Sequence, residues 1–147
     1  MHVYEPDERV DHVRYIELLD EVALPACEQV YPDGNFVYQQ DGAPAHKHKE
    51  TQRFLEEHAP QFIRGEEWPA YSCDLSPSDY RLHGWWKQKV YARGPARDLE
   101  ELKTFIREAW EELDTETIRG WLRELRPRLQ KVIEENGRPI QQYFNKI

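Results

Sequence analysis

Apolar residues recur at helical spacing along most of the chain, and only a few short segments depart from that pattern. Spacings of three and four residues predict a first helix from Asp11 to Leu24, which Pro25 closes. The same spacing predicts a second helix from Lys47 to His58, with Phe54 and Leu55 facing inward. The amino-terminal half therefore predicts two amphipathic helices.

Two short segments on either side of the second helix have the composition of strands. Residues 35–40 are aromatic and β-branched and lie between turn formers, so we predict a strand there that ends at Asp41. Residues 61–63 are short and apolar and predict another strand. Because a helix joins them, the two strands are predicted to pair in parallel.

The remaining chain predicts helices with clear start and stop signals. Ser76 is a plausible N-cap, with Pro77 at the first helical position and Asp79 in the first turn. Asp98, followed three residues later by Glu101, resembles a capping box. The inward face of that helix would comprise Leu99, Leu102, Ile106, Ala109 and Leu113. The pattern continues through Ile118, Trp121, Leu122, Leu125, Leu129, Val132 and Ile133, with a kink or restart at Pro127 and an end at Gly137. Residues 141–147 are predicted to be a loose end.

Together these elements predict an α/β fold in which short parallel strands are flanked by helices and followed by a helical part at 98–137. The length of 147 residues allows one domain, 1–147, and 39% apolar content is enough for a folded core. The chain shows no signal-peptide layout and no long apolar run, so we expect an intracellular protein without a membrane partner. Cys27 and Cys73 are expected to be reduced thiols.

The charge of the chain is uneven. The formal net charge is −8, yet residues 80–97 contain five basic residues and no acidic one. That segment, which we call the basic island, mixes Trp85, Trp86 and Tyr91 with cations that would suit nucleic-acid phosphates: Arg81, Lys87, Lys89, Arg93 and Arg97. The alternative is an amphipathic helix with buried tryptophans and solvated cations.

Two aspartates occupy positions typical of a divalent-metal site. Asp41 follows the predicted strand, and Asp79 lies in the first turn of a later helix. Mg²⁺ and Mn²⁺ take oxygen ligands, and a pair of such ions can promote phosphoryl transfer. The alternative is that Asp41 is a turn residue and that Asp79 is favoured by the helix dipole.

The residues around these aspartates resemble a known family. Residues 38–46 (YQQDGAPAH) and 68–80 (WPAYSCDLSPSDY) closely resemble the second and third acidic blocks of mariner-superfamily transposases. The resemblance continues through 98–102 (DLEEL) and 126–133 (RPRLQKVI) and covers most of residues 10–138. It implies a partial ribonuclease-H-like fold, a DDE or DDD triad, Mg²⁺ or Mn²⁺ as cofactor, and DNA as substrate.

By this resemblance Asp41 is the second triad acid and Asp79 the third, with 37 residues between them. His46 would orient substrate or a metal-bound water, or else cap a helix. Asp74 falls at the family's structural Asp-Leu step and is interpreted as a loop or cap residue, with a ligand role as the alternative. Cys73 stands where proline is usual.

The first triad acid has no evident counterpart, because none of the early aspartates follows an apolar strand: Asp7, Asp11, Asp20 and Asp33. We therefore expect a carboxyl-terminal portion of a transposase that lacks the DNA-reading region and does not cleave DNA alone. Exposed sheet surface would favour self-association or association with a full-length transposase. A non-enzymatic remnant that binds nucleic acid or protein is the alternative function, and nuclear residence is implied by the resemblance only.

Overall fold

Helices form nearly all the regular structure in residues 8–69 and 72–144, the parts of the chain that a computed structural model describes. These two ranges form two compact units, and each is described by itself. The elements of residues 8–69 are α1 His12–Leu18, a π-helical turn Leu19–Ala23, α2 Leu24–Val30, α3 Pro44–Lys47 and α4 Lys49–His58. Those of residues 72–144 are a 3₁₀ turn Cys73–Leu75, a π-helical turn Ser78–Leu82, α5 His83–Tyr91, α6 Leu99–Glu111, α7 Thr115–Arg123, α8 Leu125–Glu134 and α9 Gln141–Phe144.

The first helix does not end at Pro25, as its sequence predicted. Pro25 lies in the first turn of α2, and the helical path continues to Val30. The π-helical turn just before it explains the difference. There the Leu24 N–H donates to the Leu19 carbonyl five residues earlier. Pro25, which has no N–H to donate, therefore lies at the junction between this wide turn and α2.

The two predicted strands are reduced to a single contact. Tyr38 and Phe62 form one isolated parallel bridge, and the described ranges contain no strand. The Tyr38 N–H donates to the Gln61 carbonyl at 2.8 Å, and the Ile63 N–H donates to the Tyr38 carbonyl at 3.0 Å. The prediction of parallel strands is therefore not confirmed, although the direction and partners of the contact agree with it.

The core of residues 8–69 forms where α1, α2 and α4 meet. Its fully or nearly fully buried members are Tyr15, Leu19, Leu24 and Leu55. Phe54 and Phe62 pack against this cluster, so the prediction that Phe54 and Leu55 face inward is confirmed. The segment that follows Tyr38, which includes Asp41, is thereby attached to a packed helical scaffold.

In residues 72–144, α5 and α6 pack together through their tryptophans. The Trp86 ring lies 5.4 Å from that of Trp110, and its indole N–H donates to the Ile106 carbonyl at 3.1 Å. The predicted start of α6 is confirmed, because Asp98 Oδ1 accepts a hydrogen bond from the Glu101 N–H at 2.8 Å. A satisfied cap of this kind is local chemistry, which the sequence contains in full.

Pro127 acts slightly earlier than its position suggested. Its missing amide would have served the carbonyl of Arg123, and α7 ends at that residue. The end predicted at Gly137 is confirmed: α8 ends at Glu134, and Gly137 has φ +81° with its N–H donating to the Val132 carbonyl at 2.9 Å.

The predicted inward face of α8 is partly wrong. Leu129 and Ile133 are exposed, whereas Arg128, the residue directly before Leu129, is completely buried. Arg128 lies three residues after Leu125 and four before Val132, so it shares their helical face. Because a charged residue is taken as exposed in a sequence pattern, Arg128 was left out of the buried face of α8. The predicted face was therefore displaced by about one residue.

The carboxyl-terminal segment is not a loose end over its described part. Ile140 is fully buried, and Gln141–Phe144 forms α9; residues 145–147 lie outside the described ranges. Cys27 and Cys73 are not joined by a disulfide, in agreement with the expectation of reduced thiols. Among the described residues, no helix has both the length and the apolar surface needed to cross a membrane.

Candidate active site

Asp41 lies in a tight turn that leads into α3. Its Oδ1 accepts a hydrogen bond from the Ala43 N–H at 2.9 Å, which makes an Asx-turn immediately before Pro44 opens the helix. About half of the carboxylate side chain is exposed, at 51%. The turn interpretation of Asp41 is therefore correct as local structure, and it leaves the carboxylate open to solvent and to ligands.

His46 stands directly beside this carboxylate. Its Nδ1 lies 2.6 Å from Asp41 Oδ1, close enough for an ion pair when the imidazole is protonated. This ring nitrogen is buried and makes no hydrogen bond among the described residues, so its polar contact with Asp41 is one of charge. Because the Asp41 carboxylate is open to solvent and the His46 ring nitrogen makes no hydrogen bond, this pair keeps polar groups whose hydrogen bonding is incomplete.

A buried network holds this pair in place. The Tyr15 hydroxyl donates to Gln40 Oε1 at 2.9 Å, and Gln40 Nε2 donates to the His46 carbonyl at 3.2 Å. Gln52 Nε2 donates to the same carbonyl at 2.9 Å. The Tyr15 ring also packs on the His46 ring, with 4.1 Å between centroids. Gln40 is thus the residue that sequence reasoning missed here, although it directly precedes Asp41.

Asp79 is carried on the π-helical turn that precedes α5. Its Oδ1 lies 3.5 Å from Nδ1 of His83, one turn later, and its side chain is 30% exposed. The turn closes with a hydrogen bond from the His83 N–H to the Ser78 carbonyl, five residues apart. π-Helical turns are rare and are frequently found at functional sites. Asp41 belongs to the unit of residues 8–69 and Asp79 to that of residues 72–144.

Asp74, the alternative acid, has a structural role. It is buried, with only 6% of its surface exposed, and its Oδ2 accepts a hydrogen bond from the Ile140 N–H at 2.9 Å. Its carbonyl accepts a hydrogen bond from Arg128 at 3.3 Å. These contacts agree with its interpretation as a loop residue and tie the 3₁₀ turn to the carboxyl-terminal segment.

Arg81, which the sequence assigned to nucleic acid, faces a carboxylate instead. Its guanidinium makes two parallel hydrogen bonds to Glu124, of 2.8 and 2.9 Å. Glu124 also accepts from Arg128 at 3.2 Å. Burial acts to raise the pKa of Glu124, but the hydrogen bonds from the two arginines outweigh it and hold that pKa below its ordinary value.

Most of the other cations of the basic island are paired as well. Lys89 Nζ lies 2.8 Å from Glu112, and Arg93 bridges Glu108 at 3.2 Å and Glu112 at 2.8 Å. Arg97 pairs with Glu101 at 2.7 Å. Hydrogen bonds from Lys89 and Arg93 lower the pKa of Glu112. The glutamates of α6 and of its carboxyl-terminal cap, Glu112, thus partly neutralise the face that the sequence assigned to DNA.

Lys87 differs from these four. It lies 5.5 Å from the centroid of the Tyr91 ring and makes no ion pair within the described residues. Trp85 and Trp86 are partly buried against Trp121 and Trp110, which agrees with the amphipathic-helix alternative for the aromatic residues of the island. That the five cations bind DNA stays a prediction.

The early aspartates have the turn and helix positions that the sequence indicated. Asp11 caps α1 by accepting from the Arg14 N–H at 3.0 Å, and Asp20 lies in the first π-helical turn. Asp33 accepts from the Asn35 N–H at 3.2 Å. Asp7 lies outside the described residues. No strand precedes any of the three that are described.

The donor chemistry of Asp41 and Asp79 fits a divalent cation. Both present partly exposed carboxylate oxygens, which are the hard ligands that Mg²⁺ and Mn²⁺ prefer. The His46 ring lies against the Asp41 carboxylate, with Nδ1 2.6 Å from Oδ1, and would therefore stand close to an ion held there. Within each described range, no group of three or more His, Cys, Asp or Glu side chains is placed to enclose an ion.

Comparison with known proteins identifies the class of fold. The chain is similar to transposases in both sequence and structure, and this similarity supports a catalytic-domain region of the mariner/Tc1 type. The resemblance indicated by the sequence motifs is therefore confirmed. No family model matches the chain.

The chain is similar to the following transposases. The transposable element Tc3 transposase of Caenorhabditis elegans is 29% identical over 121 residues, which cover 82% of this chain but only 36% of that transposase. The catalytic domain of Mos1 mariner transposase superposes with a TM-score of 0.78 at 25% identity, over 92% of this chain and 67% of that one. A second structure of the Mos1 domain, with raltegravir and Mn, gives the same TM-score and identity over 68% of its chain.

Proposed function

We propose that this chain is the carboxyl-terminal part of a mariner-type transposase catalytic domain, related to metal-dependent cleavage and transfer of DNA strands. The observation that carries the proposal is the superposition on the Mos1 catalytic domain over 92% of the chain, together with acidic residues in the matching sequence blocks. The Mos1 domain has been solved with Mn and with Mg, which supports divalent-ion use by the relatives.

In this proposal Asp41 and Asp79 each serve as a metal ligand of the transposase centre. A bound Mg²⁺ or Mn²⁺ would supply Lewis-acid activation of water and of the scissile phosphate. His46 would hold the Asp41 carboxylate in its orientation and accept or donate a proton at Nδ1. The buried bond from Gln40 to the His46 carbonyl fixes the backbone on which that ring is carried.

The DNA partner would be bound mainly through phosphates. Lys87 is the cation of the basic island that is ready for such a contact, because it has no acidic partner in the described ranges. The paired cations, Arg81, Lys89, Arg93 and Arg97, would have to exchange glutamates for phosphates, which weakens their net contribution. Residence in the nucleus belongs to the same proposal, since the substrate is chromosomal DNA.

The 147 residues alone are not expected to cleave DNA. By the resemblance they contribute two of the three triad carboxylates, so one bridging ligand of a two-ion centre is missing. A plasmid-nicking assay with Mn²⁺ should therefore show no activity above that of Asp79→Ala. Nicking that Asp79→Ala abolishes would refute this part of the proposal, and a chain that binds DNA without binding Mn²⁺ would favour a non-enzymatic remnant.

Calorimetric titration with Mn²⁺ tests the metal ligands directly. Asp41→Ala and Asp79→Ala should each abolish or strongly weaken binding. Asp20→Ala is the matched control, because Asp20 is the second residue of its π-helical turn just as Asp79 is of the other. If Asp79→Ala leaves the titration unchanged while Asp74→Asn abolishes it, the third acid is wrongly assigned.

A further inference from the structure

Arg128 is a charged residue that is completely buried. No part of its side chain is exposed, and its Nε has no hydrogen-bond partner among the described residues. One terminal nitrogen donates to the Asp74 carbonyl at 3.3 Å and the other to Glu124 at 3.2 Å. Burying a charge with incomplete hydrogen bonding is costly, and apolar side chains often serve such a position better. A role beyond stability is therefore worth seeking.

The guanidinium is clamped between two aromatic rings. Its Cζ lies 3.9 Å from the centroid of the Tyr80 ring and 4.6 Å from that of Phe144. Both distances are within the range of cation–π attraction, which strengthens when the cation is shielded from water. The stack joins the carboxyl-terminal helix α9 to the residue that directly follows Asp79.

The contacts of Arg128 converge on the turn that carries Asp79. Tyr80 packs on the guanidinium and donates its hydroxyl hydrogen bond to the Trp121 carbonyl at 2.9 Å. Arg81 binds Glu124 at 2.8 Å, and Glu124 is itself a partner of Arg128. The two residues after Asp79 are thus both held through Arg128 or its partner.

We propose that Arg128 is a positioning residue that fixes the π-helical turn Ser78–Leu82 and so sets the direction of the Asp79 carboxylate. The inference rests on the proposed function for the role of Asp79. A π-helical turn holds one residue more than the α-helical turn it can relax to, and one residue corresponds to about 100° of rotation around a helix. If the turn relaxed, the carboxylate would point elsewhere while the helices around it stayed formed.

The test uses the whole chain and three variants. Arg128→Met keeps an unbranched side chain between the two rings but removes both hydrogen bonds and the charge. Glu124 stays paired in this variant, because Arg81 still binds it. Arg126→Met is the matched control, since Arg126 is an exposed residue of the same helix. Phe144→Leu removes one face of the stack and leaves the hydrogen bonds of the guanidinium in place.

Two measurements separate positioning from general stability. Amide hydrogen exchange by NMR compares Ser78–Leu82 with α6, and Mn²⁺ titration follows the affinity. For Arg128→Met we expect faster exchange confined to Ser78–Leu82 and Mn²⁺ affinity about tenfold weaker, as is typical when a residue that supports a metal ligand is lost. Arg126→Met should match the wild type in both. Phe144→Leu should show the same changes to a smaller extent.

Each result decides between named alternatives. Exchange that rises equally in α6 and in the turn would show a merely structural role and overturn the inference. An unchanged Mn²⁺ affinity in Arg128→Met, where Asp79→Ala abolishes binding, would overturn it as well. If the wild type binds no Mn²⁺ but exchange rises only in the turn, the positioning contact stands and the proposed function fails. Should Arg128→Met not fold, Phe144→Leu decides on the same two measurements.

Discussion

Removing the Asp74 carboxylate should release the carboxyl-terminal segment from the unit of residues 72–144. In Asp74→Ala the N–H of the fully buried Ile140 loses its acceptor at 2.9 Å. If the segment stays docked, a buried unsatisfied amide costs about 1–3 kcal/mol. If it undocks, the amide regains water but the burial of Ile140 is lost, which costs about 1.5–3 kcal/mol. Because the molecule adopts the cheaper state, we expect a loss of about 2 kcal/mol.

Urea unfolding followed by tryptophan fluorescence suits this measurement. Four of the five tryptophans, at positions 85, 86, 110 and 121, lie in this unit, and a Trp68→Phe background removes the fifth. Asp74→Asn keeps an oxygen that can accept the same bond and should cost less than about 1 kcal/mol. An Asp74→Ala protein within about 0.5 kcal/mol of wild type, the usual range for surface changes, would refute the assigned role of the Asp74–Ile140 bond.

Three further outcomes are expected. Acidification should destabilise the unit of residues 72–144, because the pKa of Glu124 is lower in the folded state than in the unfolded one. The resulting stabilisation is complete above the ordinary glutamate pKa of about 4.3 and is lost as the pH falls through the folded-state pKa. In urea unfolding, Glu124→Gln should lack this pH-dependent part of the stability. The double change Glu108→Gln, Glu112→Gln should free Lys89 and Arg93 from their ion pairs. The slope of log affinity for duplex DNA against log salt concentration, measured by fluorescence anisotropy, should then steepen by about one to two units. An unchanged slope would mean that the basic island does not contact phosphates. Tyr15→Phe leaves the acceptor of a buried 2.9 Å hydrogen bond unpaired and should lower the stability of residues 8–69 by about 1 kcal/mol, whereas a thermal midpoint equal to wild type would contradict that network.

Local signals in the sequence predicted the helices well where each signal is complete within a few residues. The cap at Asp98 and the positive φ at Gly137 need only their own neighbours, and both are confirmed. The Asx-turn at Asp41 belongs to the same kind, because the acceptor and donor are two residues apart. Hydrogen bonds between residues this close in sequence can be predicted without knowledge of the fold.

Features that depend on distant partners were not predictable in the same way. The two segments were predicted to pair in parallel, but the extent of the pairing, a single bridge between Tyr38 and Phe62, was not predictable from their composition. The buried position of Arg128 depends on Tyr80, far away in sequence, and on the carboxyl-terminal helix. Pairing of the basic island with α6 likewise needed the packing of two helices. Composition alone could not show that those cations already have carboxylate partners.

The candidate acids themselves came from motif resemblance and not from periodicity. Asp41 and Asp79 have ordinary local explanations, a turn and a helix start, and the structure agrees with both. Two features distinguish them: Asp41 lies beside a His46 nitrogen that makes no hydrogen bond, and Asp79 lies in a π-helical turn, which is rare. Neither feature is encoded in the spacing of apolar residues.

The bond between Asp74 and Ile140 joins residues that are 66 positions apart. On a ribosome that adds roughly 5–20 residues per second, Ile140 is made several seconds after Asp74. During that interval the Asp74 carboxylate lacks the Ile140 amide, although the helices made before Ile140 can already form. The unit of residues 72–144 therefore closes only after Ile140 has been made, so its burial of Asp74 follows the formation of the helices before it.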